Sequence, residues 1–146
     1  MLIDSHCHLT YEPMVSDIQK VLDLCEQNQV SKILTIGTNL ETSKKSIQIA
    51  ESYKNIFCTI GLHPNETERE AINFTEIINL ARSSKKIIGI GETGLDFYYN
   101  KEKEKSENFL KCLSINRENI KLTNFNKKLN AGLDIKSPGI LFKKIL

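Results

Sequence analysis

Several things are missing from this chain, and each absence narrows what it can be. No run of about eighteen apolar residues occurs, so no membrane-spanning helix is expected. The N-terminus carries Asp4 where a secretory signal has Lys or Arg, and no long apolar stretch follows; a cytoplasmic protein is the expectation. The four cysteines, Cys7, Cys25, Cys58 and Cys112, are widely spaced, with no C-x-x-C pair. That argues against a zinc ribbon and against a disulfide framework; buried, reduced thiols are expected instead. No G-x-G-x-x-G stretch, phosphate loop, or Ser-His-Asp or Cys-His nucleophile set is recognisable. Histidine is scarce: His6, His8 and His63 are all there are.

Positive charge is also short where structure is expected. Residues 1–100 hold 9 Lys and Arg against 13 Asp and Glu, whereas residues 101–146 hold 11 against 5. A nucleic-acid-binding face is expected to be basic. Charge therefore gives the organised part of the chain no support for DNA binding. The length, 146 residues, suits one domain with a real core.

What is present is a repeating pattern. Four apolar runs recur, at Leu2–Ser5, Lys32–Ile36, Ile56–Ile60 and Ile87–Ile90, and Gly37, Gly61 and Gly91 close three of them. Helical periodicity fills the gaps. Ile18, Val21, Leu22 and Cys25 form one stripe, with Ser16 and Gln19 as a capping box at its start. Ile47, Ala50 and Tyr53 mark a face of Glu41–Lys54. Phe74, Ile77, Ile78 and Ala81 form a third stripe, with Asn73 as its candidate N-cap. The pattern is β-α-β-α-β-α-β. Runs apolar on both faces fit a parallel sheet covered by helices. Past Tyr99 the character changes. Lys101–Lys105 is a charge run, Phe109, Cys112 and Leu113 continue an amphipathic helix, and Ile140–Phe142 is a weak strand candidate.

In such folds functional groups sit at the C-terminal ends of the strands, and the candidate residues follow the apolar runs. Strand alternation places Asp4, His6 and His8 on one face and Cys7 on the other, in the core. Two imidazoles at a strand end make half a metal site; the competing reading is a pair of hydrogen-bonded histidines at a sheet edge. Glu92 offers a third ligand, or is a carboxylate favoured by a helix N-terminus. A cation held there would lower the pKa of bound water and clamp phosphoryl or carbonyl oxygens. His63, in Gly61-Leu-His-Pro64, reads as a loop histidine rigidified by Pro64 in preference to a group supporting the metal. Phe97, Tyr98 and Tyr99 offer stacking surface for bases, though loop packing is commoner. Asp96 either orders its loop or meets a metal-bound water. No catalytic or substrate-binding residue is assigned.

Ile3-Asp-Ser-His-Cys-His-Leu9, Gly61-Leu-His-Pro64 and Ile90-Gly-Glu-Thr-Gly-Leu-Asp-Phe-Tyr98 resemble the signature stretches of the TatD-type metal-dependent deoxyribonucleases, in order and spacing. The resemblance covers about residues 1–105. It implies a (βα)8 TIM-type barrel, up to two divalent cations (Mg, Mn or Zn), and hydrolysis of phosphodiester bonds in DNA. By motif match, His6 and His8 are metal ligands from the first strand and Glu92 a bridging carboxylate from the fourth. Asn65 stands where many members have a second histidine. The family's remaining ligands, two histidines and an aspartate, belong to the second half of the barrel. This chain has no histidine after His63, and Asp134 is in no matching context.

The family's barrel needs roughly 250 residues. The expected fold is therefore α/β: a partial barrel of about four βα units over 1–118, the N-terminal half of a metal-dependent hydrolase. A poorly structured, irregular tail over 119–146 is expected to follow, and the turn to Lys- and Asn-rich sequence after about Lys105 suggests out-of-frame reading. Four barrel strands leave two raw edges and an uncovered inner face, which self-association or a second polypeptide would complete. Two functions follow: a truncated TatD-type hydrolase of DNA with impaired activity, or a catalytically inactive remnant that binds metal weakly. A hydrolase of small esters or amides is a third reading.

Overall fold

A computed structural model describes residues 2–66, 74–94 and 139–142. Strands β1 (Leu2–Cys7), β2 (Val30–Ile36), β3 (Ile56–Ile60) and β4 (Ile87–Thr93) alternate with helices α1 (Ile18–Gln27), α2 (Leu40–Ser52) and α3 (Phe74–Leu80). The four strands pair in sequence order, all parallel. This is the parallel βα order that the repeating pattern implies, arranged as the partial barrel that the family resemblance implies.

The core lies on the helix-covered face. Ile33, Ile56, Cys58, Ile60 and Ile87 pack with Ile47 and Ala50 of α2 and Ile77 of α3. On the opposite face Leu34, Ile36 and Ile88 form a second cluster, each 6% exposed or less. An uncovered inner face was expected there; these three side chains are instead buried.

The edges also differ from expectation. A fifth strand, β5 (Gly139–Phe142), lies antiparallel along β4, so β4 is paired on both sides. The tail thus contributes a strand where the sequence has its Ile140–Phe142 candidate. At the other edge β1 is not the buried strand it reads as: Leu2 is 60% and Ile3 48% exposed. Among the described strands β1 pairs only with β2, and α1 covers it incompletely. Val21, Leu22 and Cys25 of the predicted α1 stripe pack against the core, yet no residue of α1 is fully buried.

Local chemistry sets the helix ends. The Ser16–Gln19 capping box does not form. Asp17 is the N-cap of α1 and accepts from the Lys20 N–H, while Ser16 Oγ donates to Glu12 and Gln19 Nε2 to Asp23. A carboxylate one residue nearer the helix satisfies the free N–H groups better. The capping box belongs to α2, between Asn39 and Thr42. The candidate cap Asn73 lies outside the described residues, as do Asp96–Tyr99, the Lys101–Lys105 run and the Phe109–Leu113 stripe.

Two glycines let the strand ends close up. A Cβ on Gly37 would lie 2.5 Å from Ser43 Oγ, and one on Gly61 would lie 2.6 Å from the Gly91 carbonyl carbon and 2.7 Å from Glu92 O. No real side chain tolerates such separations. Ser43 sits between them, its Oγ accepting from the Gly61 N–H at 3.3 Å. The Glu92 N–H donates to Gly37 O at 2.8 Å and the His63 N–H to Thr38 O at 2.7 Å. The ends of β2, β3 and β4 are therefore tied together where the polar residues emerge.

Candidate metal centre

Four strand ends converge on one small volume. His6 Nε2 lies 3.8 Å from Glu92 Oε2. The His6 and His8 rings meet edge to face, with centroids 5.2 Å apart. Ligand-type atoms of His6, His8 and Glu92 all fall within 4.8 Å of one another. Glu92 is in β4 itself, so the alternative of a helix N-terminal carboxylate does not apply. The alternative of histidines merely hydrogen-bonded at a sheet edge fits only His8, whose Nδ1 lies 3.3 Å from Ile36 O.

That bond favours metal binding. A carbonyl oxygen only accepts, so the His8 proton is on Nδ1 and the Nε2 lone pair is free. The donor set of two imidazoles and a carboxylate suits Zn, Mn or similar divalent cations. Glu92 is mostly buried, with 17% of its side chain exposed, whereas His6 is 44% exposed. The centre thus has a protected floor and an open side.

Asp4 does not join the histidines. Asp4 pairs with Ile33 and Cys7 with Thr35. β1 thus takes three steps where β2 takes two. This bulge breaks the alternation on which the common face depends. Asp4 Oδ1 accepts the His6 backbone N–H at 3.0 Å. Its charge instead bears on the thiols of Cys7 and Cys25. Cys7 is on the core side, as the sequence indicates, with Sγ donating to Leu34 O. Burial, then the Asp4 charge, pushes its thiol up to about 12.

His63 is closer to the centre than its loop reading allows. Its Nε2 lies 4.0 Å from Glu92 Oε1, on the oxygen not facing His6. Tyr11 is a participant that the sequence does not flag. Its ring stacks on His8, with centroids 5.2 Å apart and planes 11° apart. Its hydroxyl pairs with Thr38 Oγ1 at 2.8 Å. Tyr11 follows His8 by three residues across a turn, where no periodic pattern signals contact.

A partial βα barrel with imidazole and carboxylate donors gathered at its C-terminal strand edge defines a protein class built for metal sites. Within that class the chain belongs to the TatD related DNase family, whose model matches residues 3–123. The match runs past Lys105, where the motif resemblance ends. An uncharacterized metal-dependent hydrolase of Buchnera aphidicola is 36% identical over 113 residues, covering 71% of this chain and 43% of the relative. The crystal structure of the TatD homolog YjjV from Escherichia coli superposes with a TM-score of 0.72 at 26% identity, covering 81% of this chain and 47% of that one. An amidohydrolase structure from Saccharomyces cerevisiae superposes with a TM-score of 0.66 at 25% identity, covering 83% and 45%. This chain spans less than half the length of these relatives. Among the described residues no helix is long and apolar enough to cross a membrane.

Proposed function

We propose that His6, His8 and Glu92 hold a divalent cation in a TatD-type hydrolase that cleaves phosphodiester bonds in DNA. The observation that carries this reading is the convergence of the three side chains, from strands at opposite ends of the parallel set, within 4.8 Å. The family's description as related to a DNase supports DNA as the substrate class. The relatives' names as metal-dependent hydrolases support the cation. A bound Mg, Mn or Zn ion supplies an acidified water and a Lewis acid for the phosphoryl oxygens.

The chain's own residues have distinct parts. His8, held by Ile36 O and the Tyr11 ring, presents a pre-oriented Nε2. His6 presents its nitrogen from the solvent-open side. Glu92 anchors the centre from β4, with one oxygen toward His6 and the other toward His63. Tyr11, 44% exposed, borders the entrance.

A second reading, metal binding without turnover, is favoured by the three-ligand group, which among the described residues holds fewer donors than a two-cation site requires. Self-association or a second polypeptide would supply the rest. Incubating linear DNA with the purified chain, with and without Mn²⁺ and EDTA, separates the readings. Cleavage that needs Mn²⁺ and is lost in His6→Ala and Glu92→Ala supports the nuclease. Metal binding with no cleavage supports the second reading. Cleavage of p-nitrophenyl esters alone moves the substrate to small esters.

A further inference from the structure

The third histidine is poised differently from the other two. The backbone N–H of Asn65 donates to His63 Nδ1 at 3.1 Å. An N–H only donates, so Nδ1 is the bare, accepting nitrogen, and the neutral ring carries its proton on Nε2. That proton-bearing edge lies 4.0 Å from Glu92 Oε1. His8 is the mirror case, with its proton on Nδ1 against Ile36 O. The two imidazoles at this strand edge thus have opposite tautomers, one set by a carbonyl and the other by an amide.

The position of His63 is built in. Its own N–H donates to Thr38 O at 2.7 Å and its carbonyl accepts from the Glu66 N–H at 2.9 Å. Gly61, two residues earlier, is the position where any Cβ would strike the Gly91–Glu92 backbone. The same close approach that brings β3 against β4 therefore brings the His63 edge against the Glu92 carboxylate.

We propose that His63 is a positioning residue: its Nε2–H edge, fixed by the Asn65 amide, faces Glu92 Oε1 at 4.0 Å, beyond direct hydrogen-bond distance, and through this electrostatic contact favours the carboxylate orientation that leaves Oε2 to face His6 and the cation. His63 is then not a third imidazole ligand, because the nitrogen facing the centre has no free lone pair. This inference rests on the reading of Glu92 as a metal ligand. Outer partners of metal ligands typically change affinity by about tenfold or more when removed.

Two substitutions separate the two ring nitrogens. His63→Asn keeps an acceptor near the Nδ1 position and so keeps the Asn65 turn. His63→Gln places an amide N–H near the Nε2 position and so keeps the donor toward Glu92. Mn²⁺ affinity, read from the free-ion electron paramagnetic resonance signal, is expected to fall about tenfold in His63→Asn and to stay within about threefold of wild type in His63→Gln. With only three histidines to assign, a long-range ¹H–¹⁵N spectrum of the metal-free protein reads the tautomers directly. The expected pattern is Nε2–H for His63 and Nδ1–H for His8. A His63 proton on Nδ1, or a His63→Gln variant as weak as His63→Asn, overturns the inference. Wild type that binds no Mn²⁺, or binds it unchanged after Glu92→Ala, contradicts the metal reading and with it the role of His63, whereas a His63 tautomer of the wrong kind contradicts the His63 inference alone.

Discussion

Lys86 shows how much one side chain contributes here. Its ammonium donates to the carbonyls of Tyr53, Lys54 and Ile56 at 2.7, 2.9 and 3.1 Å and lies 5.1 Å from the Phe57 ring centroid. It closes the turn between α2 and β3 from the residue just before β4. Charged hydrogen bonds contribute about 1.5–3 kcal/mol each when they are well formed, but this amine is partly solvated. Lys86→Met should therefore lower stability by about 2 kcal/mol in urea unfolding. Cys58 carries a pH signature. Burial, then the Glu51 charge, raises its thiol from 9.0 to about 12. Between those values the unfolded chain loses a proton that the folded chain keeps, so stability falls as pH rises. Urea midpoints should drop from pH 9 toward 12, and less steeply in Cys58→Ala. The residue scale also shows what a sequence displays and what it hides. The grouping of His6, His8 and Glu92 at one edge is legible because ligand-type residues follow apolar runs. Asp4 is misplaced by a bulge, which no periodicity announces. The nearness of His63 to Glu92 is hidden because it depends on an amide hydrogen bond and on how closely β3 meets β4.

Elements follow their local rules, with informative exceptions. The cores of β2, β3 and β4 are plain from their apolar runs, and three of the helix stripes from their spacing, but the apolar run of β1 is exposed. The caps were not: Asn39 and Thr42 make the α2 box with residue types weaker in pattern than Ser and Glu, and Asp17 takes the place assigned to Ser16. Asn39→Ala should cost about 1 kcal/mol, visible as a lower thermal midpoint. Gln29 follows the end of α1 with φ 60°, the left-handed region that a Cβ disfavours. Gln29→Gly should raise stability by about 1 kcal/mol by removing that strain. Gly61 is the opposite case. Gly61→Ala forces β3 away from Gly91 and Glu92, and should lower both the thermal midpoint and Mn²⁺ affinity, whereas a purely structural glycine would change only the first.

At the scale of the molecule, the centre depends on curvature. β1 and β4 are not neighbours in the sheet, yet His6 and Glu92 meet. The curl of the sheet therefore assembles the site, and packing on the helix-covered face holds the curl. The parallel order was legible because helices and strands alternate at βα spacing. The antiparallel β5 was not, since a short apolar run says nothing about which edge it pairs with or in which direction.

If His6, His8 and Glu92 hold a divalent cation as proposed, isothermal titration of the purified chain with Mn²⁺ will show it. Saturable binding with a defined stoichiometry, abolished by His6→Ala and by Glu92→Ala in variants that keep the wild-type circular dichroism, is the predicted result. Binding that survives both substitutions, or no binding by a folded wild type, would contradict it.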